Sequence, residues 1–425
     1  MGTRVLLKKM QFILTLLLSL SVVFVAHAEE PSTSERMKRQ AEAGGLGGPD
    51  SVGAQLEEAR NARQMSSRWP GLDKTLDPVV SATDAFYERT KLQLGFRYTA
   101  SYQSASASLT DEDDGAAGQI RMMGKWRLYE QDEDNFGNFV FLVENRHSIG
   151  GGVTPATLNQ EIGSFGPTGL SYGDNGTALT VAFWEQSLAD RRMGIWAGRI
   201  DPTDLTDILG YANQRTTFSN ASVVANLVVV APGPGFGLGV GGMITDHIYS
   251  IGTIADANGS FSDIEWFPGG AEFYKYVEVG WLPSREERYT RNIHIGAFHM
   301  DERSDAGTED AYGFLLSANW LIGENWLPFA RAGISDGDGA VVDKSVTIGT
   351  LFRPDWFNDL IGFGINWLDP TNPASQDQTS AELFYRFSLS RDFAISFTAQ
   401  SIFNPANNPQ DDVIGIFGIR VRLAL

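Results

Sequence analysis

The chain has 425 residues and no cysteine, which excludes disulfide bonds and thiol chemistry. Its formal charge at pH 7 is -19, from 52 acidic and 33 basic residues. This acidic balance argues against nucleic acid as a partner, because proteins that bind nucleic acid present basic patches. The length would suit two or three ordinary domains, although a large all-β unit can be a single domain.

Residues 1–28 have the pattern of a secretory signal peptide. Basic residues precede an apolar run over 12–25, which is too short for a membrane-spanning helix, and a small-x-small motif ends at Ala28. We therefore predict cleavage after Ala28 and export of the mature chain. The alternative is an N-terminal anchor that is retained.

Residues 29–90 are more polar than the rest of the chain and rich in glycine between positions 44 and 48. The stretches 34–43 and 52–65 have a composition that favours helices. We predict a periplasmic N-terminal segment that faces water and is partly helical or flexible.

The remainder of the chain shows apolar residues with a period of two. In residues 91–103, Leu94 and Phe96 fall on one parity, and Gln93 and Arg97 on the other. Strict alternation over about ten residues predicts a strand with one apolar and one polar face. This is also the length of a tilted strand that crosses a membrane.

About sixteen such segments follow one another, at 91–103, 119–129, 139–147, 178–187, 193–200, 221–230, 237–244, 273–282, 291–300, 312–321, 326–334, 344–352, 361–367, 380–389, 393–402 and 414–425. Long connections tend to follow odd-numbered segments and short ones even-numbered segments, as in outer-membrane barrels. Only helices and closed barrels satisfy every backbone group in lipid, and no later stretch is long enough for a helix. We therefore predict an all-β fold: a transmembrane antiparallel up-and-down β-barrel over 91–425, with the last strand paired to the first.

The polar parity of these strands is rich in arginine, while most acidic residues lie in the connections. The candidates for lining a pore are Arg97, Arg121, Lys125, Arg127, Glu144, Arg146, Arg199, Glu278, Arg331, Glu382, Arg386, Arg420 and Arg422. Arginine keeps its charge, and its planar fork can bind hydroxyl groups or anions. The alternative for any one of them is a structural ion pair with a carboxylate in the lumen.

Motifs for catalysis or cofactors are weak. Residues 237–242 match G-x-G-x-x-G but lack a strand–turn–helix context, so we do not predict a dinucleotide site. The Asp-Gly repeat at 335–340 lacks the distal glutamate of a calcium loop, and the histidines do not cluster as metal ligands. We predict neither an enzyme nor a cofactor nor a metal site.

Several blocks of the second half carry a family resemblance: residues 213–250, 273–302, 325–340, 361–370 and 381–409, followed by the terminal strand 414–425. In their order along the chain they resemble the carbohydrate-selective porin family of Gram-negative outer membranes, known as OprB. The resemblance implies a sixteen-stranded porin through which sugars diffuse. It assigns no individual constriction residue.

These observations lead us to expect an outer-membrane porin for passive diffusion of small polar solutes, above all mono- and oligosaccharides, through an arginine-lined aqueous pore. A porin for organic acids or other anions is one alternative, and a soluble secreted all-β carbohydrate-binding protein or hydrolase is another. The expected partners are small solutes and outer-membrane lipid. Association into homotrimers stays open, as does the question whether loop 148–177 folds into the pore.

Overall fold

The computed structural model describes residues 30–354 and 357–425, so the predicted signal peptide lies outside the described residues. Sixteen antiparallel strands form one closed barrel in which each strand pairs with its neighbours in sequence. Strand β1 pairs with β16, with Tyr98 opposite Leu423 and Arg97 opposite Ala424. The last residues therefore close the barrel and leave no free sheet edge. The predicted fold class is confirmed.

The strands, in chain order, are β1 Leu92–Ala105, β2 Asp114–Glu130, β3 Phe136–Ser148, β4 Gly176–Leu188, β5 Met193–Ile200, β6 Gly235–Met243, β7 Ile248–Asp256, β8 Phe273–Trp281, β9 Arg291–Met300, β10 Ala311–Trp320, β11 Trp326–Asp336, β12 Val342–Phe352, β13 Leu360–Pro370, β14 Gln378–Ser388, β15 Phe393–Phe403 and β16 Val413–Ala424. The α-helices are α1 Thr33–Gly44, α2 Val52–Arg63, α3 Pro70–Thr90, α4 Leu158–Ile162 and α5 Ala221–Val224. Among the described residues, no helix has both the length and the apolarity needed to cross a membrane.

One predicted strand is wrong, and one strand of the barrel is absent from the prediction. Residues 221–230 form α5 and an irregular stretch inside the barrel, where Val228 is fully buried. A short apolar run can be buried in a strand or elsewhere, and periodicity alone does not separate the two. Strand β7 falls within a predicted connection, because apolar residues occur on both of its faces. Tyr249 and Ile251 are buried in the barrel, whereas Ile254 is exposed outside. The two errors compensate in the strand count.

The outward face of the wall is apolar. Exposed side chains on this face include Phe96 on β1, Val277 on β8, Ile295 on β9 and Phe314 on β10. Aromatic side chains occur near the strand ends, and Trp281 stacks on Trp320 with ring centroids 5.8 Å apart. Such a band of apolar residues with aromatic ends is typical of the lipid-facing surface of a barrel.

The connections differ in length at the two rims. Short turns, such as 189–192 and 389–392, occupy one rim, and long loops, including 149–175 and 201–234, occupy the other. We call residues 201–234 the inner loop, because most of them are buried within the barrel. The predicted alternation of long and short connections is therefore present, with 282–290 as a longer connection at the short-turn rim.

The helices α1 and α2, which we call together the N-terminal hairpin (residues 33–63), confirm the two predicted helical stretches. The predicted exposure to water is wrong for this part of the segment: Ala54 and Gln55 are fully buried. The hairpin contacts side chains from strands on different sides of the barrel, so it lies within the lumen. Small residues in both helices allow this close fit. Helix α3, which has no counterpart in the prediction, is largely exposed and leads into β1. The compartment that surrounds α3 stays a prediction.

Candidate functional site

The lumen-facing parity carries the residues predicted to line a pore. Ten of them expose at most 6 % of their surface, namely Arg97, Arg121, Glu144, Arg199, Glu278, Arg331, Glu382, Arg386, Arg420 and Arg422. The side chains of Lys125, Arg127 and Arg146 expose 15 %, 29 % and 22 % of their surface. Side chains that line a water-filled channel would be wetted, whereas these are largely covered by protein. The lumen is therefore filled at their level, and their role in lining an open pore stays a prediction.

The N-terminal hairpin fills the half of the lumen near the short turns. Lys125 of β2 donates a hydrogen bond of 2.9 Å to the carbonyl oxygen of Ala43, near the end of α1. Arg97 of β1 donates one of 2.6 Å to the side-chain oxygen of Gln55 on α2. The two helices pack closely because position 53 is glycine: a Cβ there would lie 2.0 Å from the carbonyl oxygen of Ala43. Wall and hairpin are thus joined by polar contacts at several heights.

Glu58 of α2 is surrounded by three arginines of the barrel wall. Its carboxylate accepts a hydrogen bond of 2.9 Å from Arg97 and two of 3.2 Å from Arg422, and it lies 3.7 Å from Arg386. These strands, β1, β16 and β14, lie close together around the closure of the barrel. We call Arg97, Arg386 and Arg422 the arginine cluster.

A second ionic network joins the hairpin to the inner loop. Asp50, between α1 and α2, binds Arg215 of the inner loop. Glu144 of β3 lies 2.7 Å from Nε of Arg121 and 2.5 Å from Nε of Arg146. Arg215 also reaches Glu144, at 3.4 Å. Because three guanidinium groups share two carboxylates here, the network ties wall, loop and hairpin into one unit.

The inner loop is bound to the wall through its backbone. Glu382 of β14 accepts hydrogen bonds from the backbone amides of Ser219, at 2.9 and 3.1 Å, and of Asn220, at 2.8 Å. Arg420 of β16 donates to the carbonyl oxygens of Gln214, at 2.8 Å, and Thr217, at 2.6 Å. These wall residues hold the loop across the lumen instead of facing solvent.

A buried cluster on the opposite wall holds Asp207 of the inner loop. Nε2 of His294 lies 2.8 Å from Asp207, and Nε of Arg331 lies 3.0 Å from it. Glu278 accepts a hydrogen bond of 2.6 Å from the hydroxyl group of Tyr276 and lies 3.4 Å from His294. The cluster brings two predicted lining residues, Glu278 and Arg331, together around a loop carboxylate.

Two further loops cover the lumen near the long-loop rim, and the first runs between β7 and β8. Arg199 of β5 donates to the carbonyl oxygens of Ser260, at 2.6 Å, and Asp263, at 3.0 Å, in this loop. The guanidinium group of Arg146 lies 4.6 Å from the ring centroid of Phe261, a cation–π distance. Two predicted lining residues thus bind this loop.

The second of these loops, 149–175, also enters the barrel, which answers the question left open by the sequence. The side chain of Thr168 donates a hydrogen bond of 2.7 Å to Gln103 of β1. Gln400 of β15 donates one of 2.9 Å to the carbonyl oxygen of Thr168. The loop therefore narrows the lumen from the long-loop side.

A small cavity remains beside Trp196 at the short-turn half. Its volume is about 120 Å³, enough for a few water molecules but not for a sugar ring with its hydration shell. Its walls include Lys125, which lies 2.6 Å from Glu185. Close by, Arg127 donates a hydrogen bond of 2.8 Å to Asn138.

The end of the hairpin and the residues that follow it are attached to the short-turn rim. Arg68 lies 2.7 Å from Asp359, and Arg63 lies 3.5 Å from Asp392 in the turn between β14 and β15. Burial raises the pKa of Asp392, although the neighbouring Arg63 opposes this effect. These contacts fix the point at which the hairpin leaves the lumen.

Several residues of the site could not be found by strand parity. They are the groups from outside the wall, Asp50, Glu58, Asp207 and Arg215. The wall residue His294 lies within the predicted strand 291–300, so its face could be assigned, but it is absent from the predicted lining residues. Parity assigns faces only to residues in strands, and the helix-forming composition of 52–65 was the one available signal for Glu58. Among residues 30–354 and 357–425, no group of three or more histidine, aspartate or glutamate side chains is arranged so that it could hold a metal ion.

The closed sixteen-stranded barrel with loops folded into a polar lumen is a porin fold. No family model and no curated protein sequence matches the chain. Among solved structures, it is similar to OprB of Pseudomonas putida at high pH, with a TM-score of 0.64 and 14 % identity over 84 % of this chain and 97 % of that one. It is also similar to a substituted variant of the Rh. blastica porin, with a TM-score of 0.52 and 11 % identity over 79 % of this chain and 100 % of that one. At these identities the likeness establishes the fold, and the fold resemblance to OprB agrees with that seen in the sequence.

Proposed function

We propose that the chain is an outer-membrane porin that lets small polar solutes cross by passive diffusion, with mono- and oligosaccharides as the main solutes. The observation that carries this proposal is the division of the wall into two faces. Apolar side chains such as Ile295 and Phe314 are exposed on the outside, while charged side chains such as Arg331 and Glu382 lie in the lumen. The apolar outer face is stable in contact with the hydrocarbon of a membrane, and the charged side chains of the lumen can form hydrogen bonds with a polar solute.

Sugars fit the chemistry of the lumen because it combines arginines, carboxylates and aromatic rings. Tyr211 stacks on Phe329 with ring centroids 3.7 Å apart, and Arg331 lies 5.4 Å from the ring of Tyr211. Hydroxyl groups of a sugar can bind the guanidinium and carboxylate groups. This chemistry and the sequence resemblance support sugars as the solutes. The structural likeness to OprB adds no support for a particular solute, because at 14 % identity it extends to the fold alone.

A second candidate is a porin for organic acids and other small anions. The arginine cluster favours it, because three guanidinium groups face one carboxylate, Glu58. Both candidates are channels rather than enzymes. Assembly into homotrimers belongs to the same proposal and can be measured by the mass of the detergent-solubilised protein.

The test uses purified full-length protein in liposomes, with swelling rates measured in glucose, maltose and sodium succinate. A porin for sugars gives rapid swelling in glucose and slower swelling in the larger maltose, whereas preference for anions gives faster swelling in succinate. Folded protein in vesicles that stay impermeable to all three solutes would overturn the proposed function. Folding is checked independently by the heat-dependent shift in gel mobility.

A further inference from the structure

The N-terminal hairpin occupies space that a solute would have to cross. Its Glu58 lies 3.7 Å from Arg386 on β14, and a Cβ at Gly47, in the link between its helices, would lie 2.4 Å from the ring of Trp196 on β5, across the barrel from β14. A segment that touches these separate parts of the wall lies across the interior. With the inner loop above it, the hairpin closes the lumen at the level of the arginine cluster.

The arginine cluster has more positive charge than its partner neutralises. Glu58 is the carboxylate that lies within 4 Å of Arg97, Arg386 and Arg422. Within the described part of the chain, the Nε atom of each of the three lacks a hydrogen-bond partner, and each of these atoms is buried. Buried guanidinium groups with unused donors bind anions strongly, since few other groups compensate their charge.

The way in which the hairpin is held allows it to leave. Half of the buried residues of α1 and α2 are glycine or alanine, which bury little apolar surface per residue, while Met37, Val52 and Leu56 pack into the core. Its buried charged contacts include those of Glu58 and Asp50, and water can replace the partners of such groups once the lumen opens. The fixed points at Arg63 and Arg68 lie at the short-turn rim, so the hairpin can swing out without detaching from the barrel.

We propose that Arg97, Arg386 and Arg422 form a binding site for the carboxylate group of a small anionic solute, and that Glu58 of the N-terminal hairpin occupies this site as an internal ligand that keeps the pore closed. The site becomes available when the hairpin leaves the lumen. This inference rests on the proposed porin function, favours its second candidate, small anions, as the solute class, and adds a closing element. The same three groups bind Glu58 in the closed state and the solute in the open state, so the two compete.

The first test compares E58Q with E57Q in planar bilayers bathed in potassium chloride or potassium succinate. Glutamine keeps the shape of Glu58 but removes its charge, and loss of charge-assisted hydrogen bonds is expected to raise the open fraction at least about tenfold. The reversal potential in a succinate gradient should shift towards that of the anion. Glu57 lies next to Glu58 on the same helix but pairs with Arg60, so E57Q should behave as the wild type. Equal open fractions and reversal potentials in E58Q, E57Q and the wild type would overturn the proposal.

The second test locks the hairpin in place, which the absence of native cysteine makes possible. A Cβ at Gly194 of β5 would lie 2.9 Å from Cγ of Leu46, so the Cβ atom of residue 46 is one bond further away and within reach of a disulfide. The L46C/G194C variant should conduct only after reduction, while the single variant G194C should not respond to reductant. If the oxidised double variant conducts as well as the reduced one, the hairpin is not the closing element.

The outcomes also separate this inference from the proposed function. If the L46C/G194C variant passes solutes in both redox states, the proposed porin function stands and the proposal that Glu58 is an internal ligand is wrong. If neither redox state of this variant passes any solute, and E58Q passes none either, the proposed porin function itself is wrong.

Discussion

The carboxylate of Glu382 accepts two hydrogen bonds from the backbone amide of Ser219, at 2.9 and 3.1 Å, in a fully buried site. One wall side chain thus takes the place of a strand partner for an irregular loop. The inner loop can cross the lumen because such side chains satisfy its backbone groups, which would otherwise be buried without partners.

Replacement of Glu382 by alanine should release the inner loop. Two buried amides lose their acceptor, at a cost of about 3 kcal/mol in the stability of the loop conformation. We expect larger and noisier single-channel currents and faster protease cleavage within residues 201–234. The control is E302A, because Glu302 is exposed in the loop between β9 and β10. Currents of E382A that match those of E302A would show that Glu382 does not hold the loop.

Removal of Arg331 should destabilise the barrel strongly. R331M leaves the carboxylate of Asp207 buried without its guanidinium partner, which typically costs about 3–5 kcal/mol in the free energy of unfolding. The double variant D207N/R331M should recover most of that loss, since it removes both charges. The temperature at which the heat-dependent gel shift occurs measures both effects. Additive losses in the double variant would contradict the pairing.

Substitution of an outward-facing residue by arginine distinguishes a membrane barrel from a soluble protein. Ile295 exposes 61 % of its surface on the outer face of β9, and Ile264 exposes 53 % in the loop between β7 and β8. At the lipid-facing site, I295R should cost about 2–4 kcal/mol and reduce assembly into lipid vesicles. The I264R variant should assemble normally. Equal assembly of both variants would favour a water-exposed outer face.

The close approach within the hairpin gives a test of its packing. A Cβ at Gly53 would clash with the carbonyl oxygen of Ala43, so G53A should separate α1 from α2 at a cost of about 1–3 kcal/mol. We expect faster protease cleavage within residues 33–63 and a higher open fraction of the channel. Gly71 meets only ordinary contacts at the start of α3, so G71A serves as the control. Unchanged cleavage of G53A would show that the hairpin tolerates the extra methyl group.

The order of the barrel was predictable because each wall strand repeats one physical condition, an apolar face towards hydrocarbon and a polar face towards the lumen. Because of this condition, apolar and polar residues alternate with a period of two in strands such as β1 and β16. The same alternation identifies which arginines point inwards. It failed at 221–230 because this apolar run is buried in the inner loop rather than in a wall strand. It failed at β7 because Tyr249 and Ile251 on the inner face pack into the apolar cluster inside the lumen, so that face is not polar there.

The closed barrel, the two helices of the N-terminal segment and the inward parity of Arg97 and Glu382 could thus be predicted from local patterns in the chain. The partners of these side chains follow from the three-dimensional fold alone. Glu58 is 39 residues from Arg97 in the chain, and Ser219 is 163 residues from Glu382. Contacts between residues so far apart in the chain cannot be predicted from local periodicity. The neighbours of a residue in its strand determine which face it lies on, whereas the segments folded into the lumen determine which groups it contacts.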